Sequence, residues 1–161
     1  VHEFGHHFAG LADEYYTSPV AYQPSASHPE PWEPNVTAAR DRASLKWRTS
    51  VAADTPIPTP WPKAEFEAQA REIQKRRVEL RAARRPEAEM NALFREELAA
   101  EHLLFSPSPH VHRTGLFEGA NYEANGYYRP QMQCMMFDRS DAYCQVCQDA
   151  ISEIIDLYSR P

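Results

Sequence analysis

Apolar residues recur at helical spacing in three stretches of the chain. In VHEFGHHFAGLA, residues 1–12, Phe4 and Phe8 lie four apart and therefore on one side, and Gly10 marks the end of a short helix. Between 63 and 104, Phe66, Ala70, Ile73, Arg77 and Leu80 trace a thin stripe, Pro86 interrupts it, and Met90, Leu93, Phe94 and Leu98 resume it. That pattern predicts two helices separated at the proline. The third stretch predicts a helix from about Asp141 to Tyr158, because Tyr143, Val146, Ala150, Ile154 and Tyr158 fall three and four apart and Ser140 can cap it.

Between these stretches periodicity is lost. Nine of the 14 prolines lie between Thr17 and Pro62, which forbids long helices and sheet interiors and predicts an extended, wrapping segment. A short helix or turn around Thr37 to Trp47 is the only regular piece expected there, and IPTPWP at 57–62 reads as a polyproline-type connector. The run GLFEGANYEANGYYRPQMQCMMFD, 115–138, reads as irregular and aromatic.

Composition narrows the function. A chain of 161 residues, 42% hydrophobic and 25% charged, is one foldable domain's worth of sequence. Its net charge of −6 argues against a nucleic-acid partner, its five dispersed glycines argue against a phosphate-cradling loop, and no apolar run is long enough for a membrane span. The segment 63–104 carries nine basic and nine acidic residues, so the net charge resides elsewhere and the segment reads as an inserted, charged helical hairpin at the surface. Partner binding through that hairpin is the sharper alternative. The chain opens at Val1 directly on the first helix and is expected to be part of a longer protein.

The chemistry lies in His2-Glu3-Phe4-Gly5-His6, an HExxH sequence on the first helix. Imidazoles four residues apart sit about 40° apart around a helix and can share one Zn²⁺. Glu3 is then presented beside the open coordination position, where it can take a proton from water. A third ligand is required, and Asp13 and Glu14 both follow Gly10. In a continuous helix Asp13 would lie about 10 Å beyond His6 along the axis, so the helix has to end between them. A left-handed Gly10 turns the chain back, and either carboxylate can then complete the site, with Asp13 preferred.

HEFGHHFAGLADEY resembles the active-site signature of the M64 metallopeptidases, the family named for its immunoglobulin A peptidases. The resemblance continues through Asn35-Val36-Thr37, Lys46-Trp47, PIPTP at 56–60, GLFEGANY at 115–122, YRP at 128–130, Cys134-Met135-Met136 and Cys144-Gln145-Val146-Cys147. It omits 63–112, where family members run from the proline segment straight to the GLFEGA block. The resemblance implies an α+β parent fold of metzincin-like type, of which residues 1–161 are the C-terminal part of the catalytic domain. This part is expected to be mainly α with irregular loops. It further implies a Met-turn beneath the metal, assigned to Met135, a protein or peptide substrate such as an immunoglobulin, and a secreted, extracellular or periplasmic location. The metzincin pattern has glycine three residues after the second His and a third His three further on; here the spacing is one residue longer and the ligand is acidic.

The expected function is therefore that of a zinc endopeptidase with Zn²⁺ on His2, His6 and Asp13 and with Glu3 as general base. The alternative is an inactive binding module that keeps the fold. Among the remaining candidates, His7 points about 100° away from His6 around the helix and reads as exposed or supporting. His110 and His112, flanked by SPSP, read as loop residues. Cys144-x-x-Cys147 can be half of a structural zinc site, but without a second pair the leading reading is a disulfide from Cys134 to one of the two. Glu118 and the tyrosines 122, 127 and 128 read mainly as packing for the aromatic loop, with a tyrosine hydroxyl as a candidate oxyanion donor.

Overall fold

In the computed structural model, which describes residues 1–17 and 27–160, the first helix, α1, spans His2–Ala9. It stops where Gly10 takes φ 61° and ψ 33°. The amides of Gly10 and Leu11 then bond back to the carbonyls of His6 and Gly5 at 3.1 and 3.2 Å, the paired backward bonds of a left-handed helix end. Gly5, in the middle of α1, is there for a different reason. A Cβ built on it would lie 3.0 Å from the Tyr143 hydroxyl and 3.1 Å from Met136 Sδ, so α1 rests on these side chains with no room for a larger residue.

The described part of the proline-rich segment is fastened by side chains instead of ladders. Lys46 Nζ donates to the carbonyls of Glu33 and Val36, both at 2.7 Å, and pairs with Glu30 at 3.0 Å. Trp47 Nε1 donates to Gly115 O at 2.8 Å. Of the short helix or turn expected around Thr37 to Trp47, the structure forms bends and turns, followed by a helical turn of 3-10 type at Arg48–Ser50. Part of the expected wrapping segment, 18–26, lies outside the described residues.

Helices α2 (Lys63–Ala82) and α3 (Glu87–Phe105) form the hairpin read from the stripe, with Pro86 at the start of the second helix. Its tip is exposed and laced by Arg76–Glu96 and Arg85–Glu89 pairs. Its root differs from the surface module that charge balance suggested. Phe66 and Phe105 are buried in the main core with Leu116, Phe117 and Phe137, and the partly buried Trp61 packs against them. At the centre of that core the Arg129 guanidinium lies 3.6 Å from the Phe137 ring centroid and 4.2 Å from that of Trp61, and donates to Gly119 O at 2.8 Å.

The aromatic stretch also departs from expectation. Strands β1 (Phe117–Ala120) and β2 (Glu123–Arg129) pair antiparallel, Phe117 with Arg129 and Ala120 with Glu123, with an irregularity at Gly119. Thr37 adds an isolated rung to Tyr128. The connecting Asn121 and Tyr122 both have positive φ, 52° and 66°, as in the two-residue turn that matches strand twist. That turn favours glycine at its second position, so a tyrosine there hides the hairpin from sequence. The last helix, α4 (Gln145–Ser159), begins after Cys144 and is not capped by Ser140. It packs on α1, and its buried residues are Val146, Cys147 and Ala150. Among the described residues, four α-helices, one small two-stranded sheet and long loops make the structure mainly α, as expected. No helix among the described residues is long and apolar enough to cross a membrane.

Candidate metal centre

Three side chains from the first 13 residues converge. His2 Nε2 lies 2.9 Å from Asp13 Oδ1, His6 Nε2 lies 3.2 Å from the same oxygen, and the two Nε2 atoms are 3.1 Å apart. The left-handed Gly10 returns the chain so that Asp13 meets both imidazoles. Ligands of a tetrahedral zinc ion at about 2.0–2.1 Å stand about 3.3 Å from one another, so the triangle fits three ligands and leaves a fourth position open.

Hydrogen bonding on the far side of each ring specifies its tautomer. His2 Nδ1 donates to Met135 O at 2.8 Å, and His6 Nδ1 donates to Leu11 O at 2.6 Å. A carbonyl only accepts, so each Nδ1 carries a proton, and it is Nε2 of each ring that faces Asp13 and is left to bind a cation. With both Nε2 atoms unprotonated, two lone pairs and a carboxylate oxygen at about 3 Å repel one another unless a cation is shared among them; with no cation, a proton on His2 Nε2 bridges to Asp13 at 2.9 Å. The Asp13 hydrogen bond raises the pKa of His2 above the ordinary imidazole value, against the effect of burial. For Asp13, burial opposes the charge, but the bonds from His2 and Tyr122 outweigh it and hold the carboxyl below its usual range.

Asp13 Oδ2 accepts from the Tyr122 hydroxyl. The Tyr122 hydroxyl is 3.4 Å from that of Tyr15, whose ring lies 6.4 Å from His2. Tyr15 is a residue that the sequence reading missed. It follows the acidic pair directly, but nothing in its spacing shows that its ring comes to lie beside His2 and Tyr122. Of the tyrosines singled out, 122 belongs to this cluster, whereas Tyr127 bonds Pro29 O and Tyr128 is buried in the sheet. Glu118 is engaged by Lys63 at 3.0 Å. His7 is exposed, and His110 and His112 lie in a turn-rich segment. Glu3 is exposed on α1, and its charge acts on both His2 and Tyr15.

Two openings flank the triangle. One, of about 600 Å³, is lined by His2, Tyr15 and Met135 together with Arg77, Glu97 and Glu101 of the helical hairpin. The second, of about 290 Å³, lies over His6, Asp13, Trp32 and Tyr122. The methionine assignment divides between two residues. Met135 contributes its carbonyl to His2, while Met136 is the fully buried one whose sulfur approaches Gly5 of α1.

Glu14 does not share the triangle. It is fully buried beside Cys134, Cys144 and Cys147, and burial pushes its carboxyl well above the usual range. The three cysteines are free thiols, so the disulfide expected between Cys134 and one of the pair is not formed. Their Sγ separations of 3.7 Å (134 to 147) and 3.5 Å (144 to 147) far exceed a bond of about 2.05 Å.

No curated protein matches the chain. The family model described as IgA Peptidase M64 matches residues 1–155, which take in α1, the hairpin sheet and most of α4. With nearly the whole sequence so matched, the chain belongs to the IgA Peptidase M64 family.

Proposed function

We propose that the chain is the hydrolytic centre of a zinc-dependent endopeptidase acting on protein substrates. The observation that carries this is the triangle of His2, His6 and Asp13, with both Nδ1 atoms already spent on backbone carbonyls. These three residues would hold the ion. When bound, zinc supplies Lewis acidity, lowering the pKa of water and polarising a peptide carbonyl.

The chain's own groups perform the remaining work. Glu3, exposed next to His2, accepts the proton of the attacking water and returns it to the leaving amine. Tyr122 anchors the second oxygen of Asp13, which keeps Oδ1 turned toward the imidazoles. Tyr15, on the wall of the larger cleft, offers a hydroxyl to the carbonyl oxygen as it gains charge.

The test is Glu3→Gln, assayed on an unfolded protein with zinc content measured in parallel. The expected outcome is unchanged zinc at the triangle and a fall in turnover of about 10²–10⁴-fold. Loss of zinc with the substitution would place Glu3 among the ligands and overturn its role as base.

A further inference from the structure

We propose a second metal site, structural and closed, in which Glu14, Cys134, Cys144 and Cys147 hold one zinc ion beneath the hydrolytic centre. The four ligand atoms lie within 4.8 Å of one another, and all four residues are buried. In a tetrahedral zinc site with bonds of about 2.3 Å to sulfur and about 2.0 Å to oxygen, sulfurs stand about 3.8 Å apart and sulfur and oxygen about 3.5 Å apart. From Cys147 Sγ the spacings are 3.7 Å to Cys134 Sγ, 3.5 Å to Cys144 Sγ and 3.4 Å to Glu14 Oε1.

Distance alone does not separate a metal site from three packed thiols. Glu14 does. Its side chain is completely buried, Oε1 accepts from Asn35 at 2.9 Å, and Oε2 has no hydrogen-bond partner among the described residues. An unpartnered carboxyl oxygen among three sulfurs is costly in an apolar interior, ionised or neutral, and a shared cation would satisfy it. Backbone donors also face the sulfurs. The amides of Cys144 and Met136 point at Cys134 Sγ from 3.3 and 3.5 Å, and the Cys144-x-x-Cys147 pair straddles the start of α4, where the helix presents unbonded N–H groups. The positive charge of Arg129 acts on both Glu14 and Cys134 and offsets part of the ligands' charge.

Four protein ligands leave no open position, so this ion does not touch substrate. A sulfur-rich tetrahedral set selects zinc over hard cations. The ligands come from three segments, each adjoining the hydrolytic centre. Glu14 is next to Asp13, Cys134 is next to Met135, whose carbonyl holds His2, and α4 packs on α1. The ion thus staples the loops that aim Asp13 and His2, and its existence is independent of the chemistry proposed for them.

The experiment is metal titration of the full chain, prepared metal-free under reducing conditions, first with Zn²⁺ and then with Co²⁺ as a spectroscopic probe. Two zinc ions per chain are expected, falling to one in His6→Ala. In His6→Ala the remaining site should still give an intense near-ultraviolet sulfur-to-cobalt band, and Cys147→Ser should lose that band. Zinc should also protect the three thiols of His6→Ala from alkylation. This variant keeps all four proposed ligands, so the result does not depend on Cys147→Ser folding. Cobalt bound without a sulfur band, or three thiols that alkylate equally fast with and without zinc, would overturn the site. Failure of the hydrolytic reading looks different: the wild type would bind a single ion that already carries the sulfur band, and His6→Ala would bind the same.

Discussion

At the residue scale, the two carboxylates of Asp13-Glu14 have been sent to opposite destinations by one rotation of the chain. Asp13 faces two imidazoles and Glu14 faces three thiols. Asp13→Ala and Glu14→Ala are therefore expected each to release one equivalent of zinc, but from different sites: only Glu14→Ala should weaken the sulfur-to-cobalt band. Tyr122 is held at positive φ with its hydroxyl on Asp13, a strained backbone position at the place where orientation matters. Tyr122→Phe should keep the fold and weaken zinc at the triangle by about 10–100-fold, the usual effect of removing a group that orients a ligand. Equilibrium dialysis against a competing chelator reads this directly, and an unchanged affinity would show that the hydroxyl does not position Asp13.

At the element scale, α1 is a short helix whose shape is dictated by what it rests on. Gly5→Ala gains about 1 kcal/mol of helix propensity in isolation. Here the added methyl meets Tyr143, Leu11 and Met136 at 3.0–3.1 Å, so the expected net effect is a lower melting temperature and weaker zinc retention. The helical hairpin has a functional half and a dispensable half. Replacing residues 74–96 by a short Gly/Ser link should preserve cooperative unfolding, because the core residues Phe66 and Phe105 are kept. Replacing all of 63–104 should abolish it. Glu101, buried on α3, has its carboxyl pushed up from 4.5 to about 8, first by burial and then by the charges of Asp138 and Glu97. Its folded pKa lies above the unfolded one, so its stabilising contribution is complete below about pH 4.5 and is lost as pH rises through 8. Glu101→Gln should therefore raise stability at pH 8, by on the order of 1–3 kcal/mol, and change little at pH 4.5. Thermal melts at the two pH values check the sign.

At the scale of the whole molecule, the matter is which features are local and which are assembled. The ends of α1, the left-handed Gly10, the preference for Asp13 and the two hairpin helices are all local. Each depends on residues within a few turns of one another, and helical periodicity and glycine stereochemistry operate at that range. The sequence by itself therefore determined the HExxH helix, its turn and the family signature around it. Three features escaped it. The two-stranded sheet is concealed by a turn of Asn121 and Tyr122 in which no glycine announces the positive φ. The hairpin's root reads as surface because charge balance describes its tip, while Phe66 and Phe105 count only once the core closes on them. The fate of the cysteines could not be read from a count of three, since the fourth member of their cluster is a glutamate 120 positions before Cys134. Only the tertiary structure decided that Glu14 and the thiols share one buried space, because burial and long-range convergence are properties of the closed fold and leave no periodic trace along the chain.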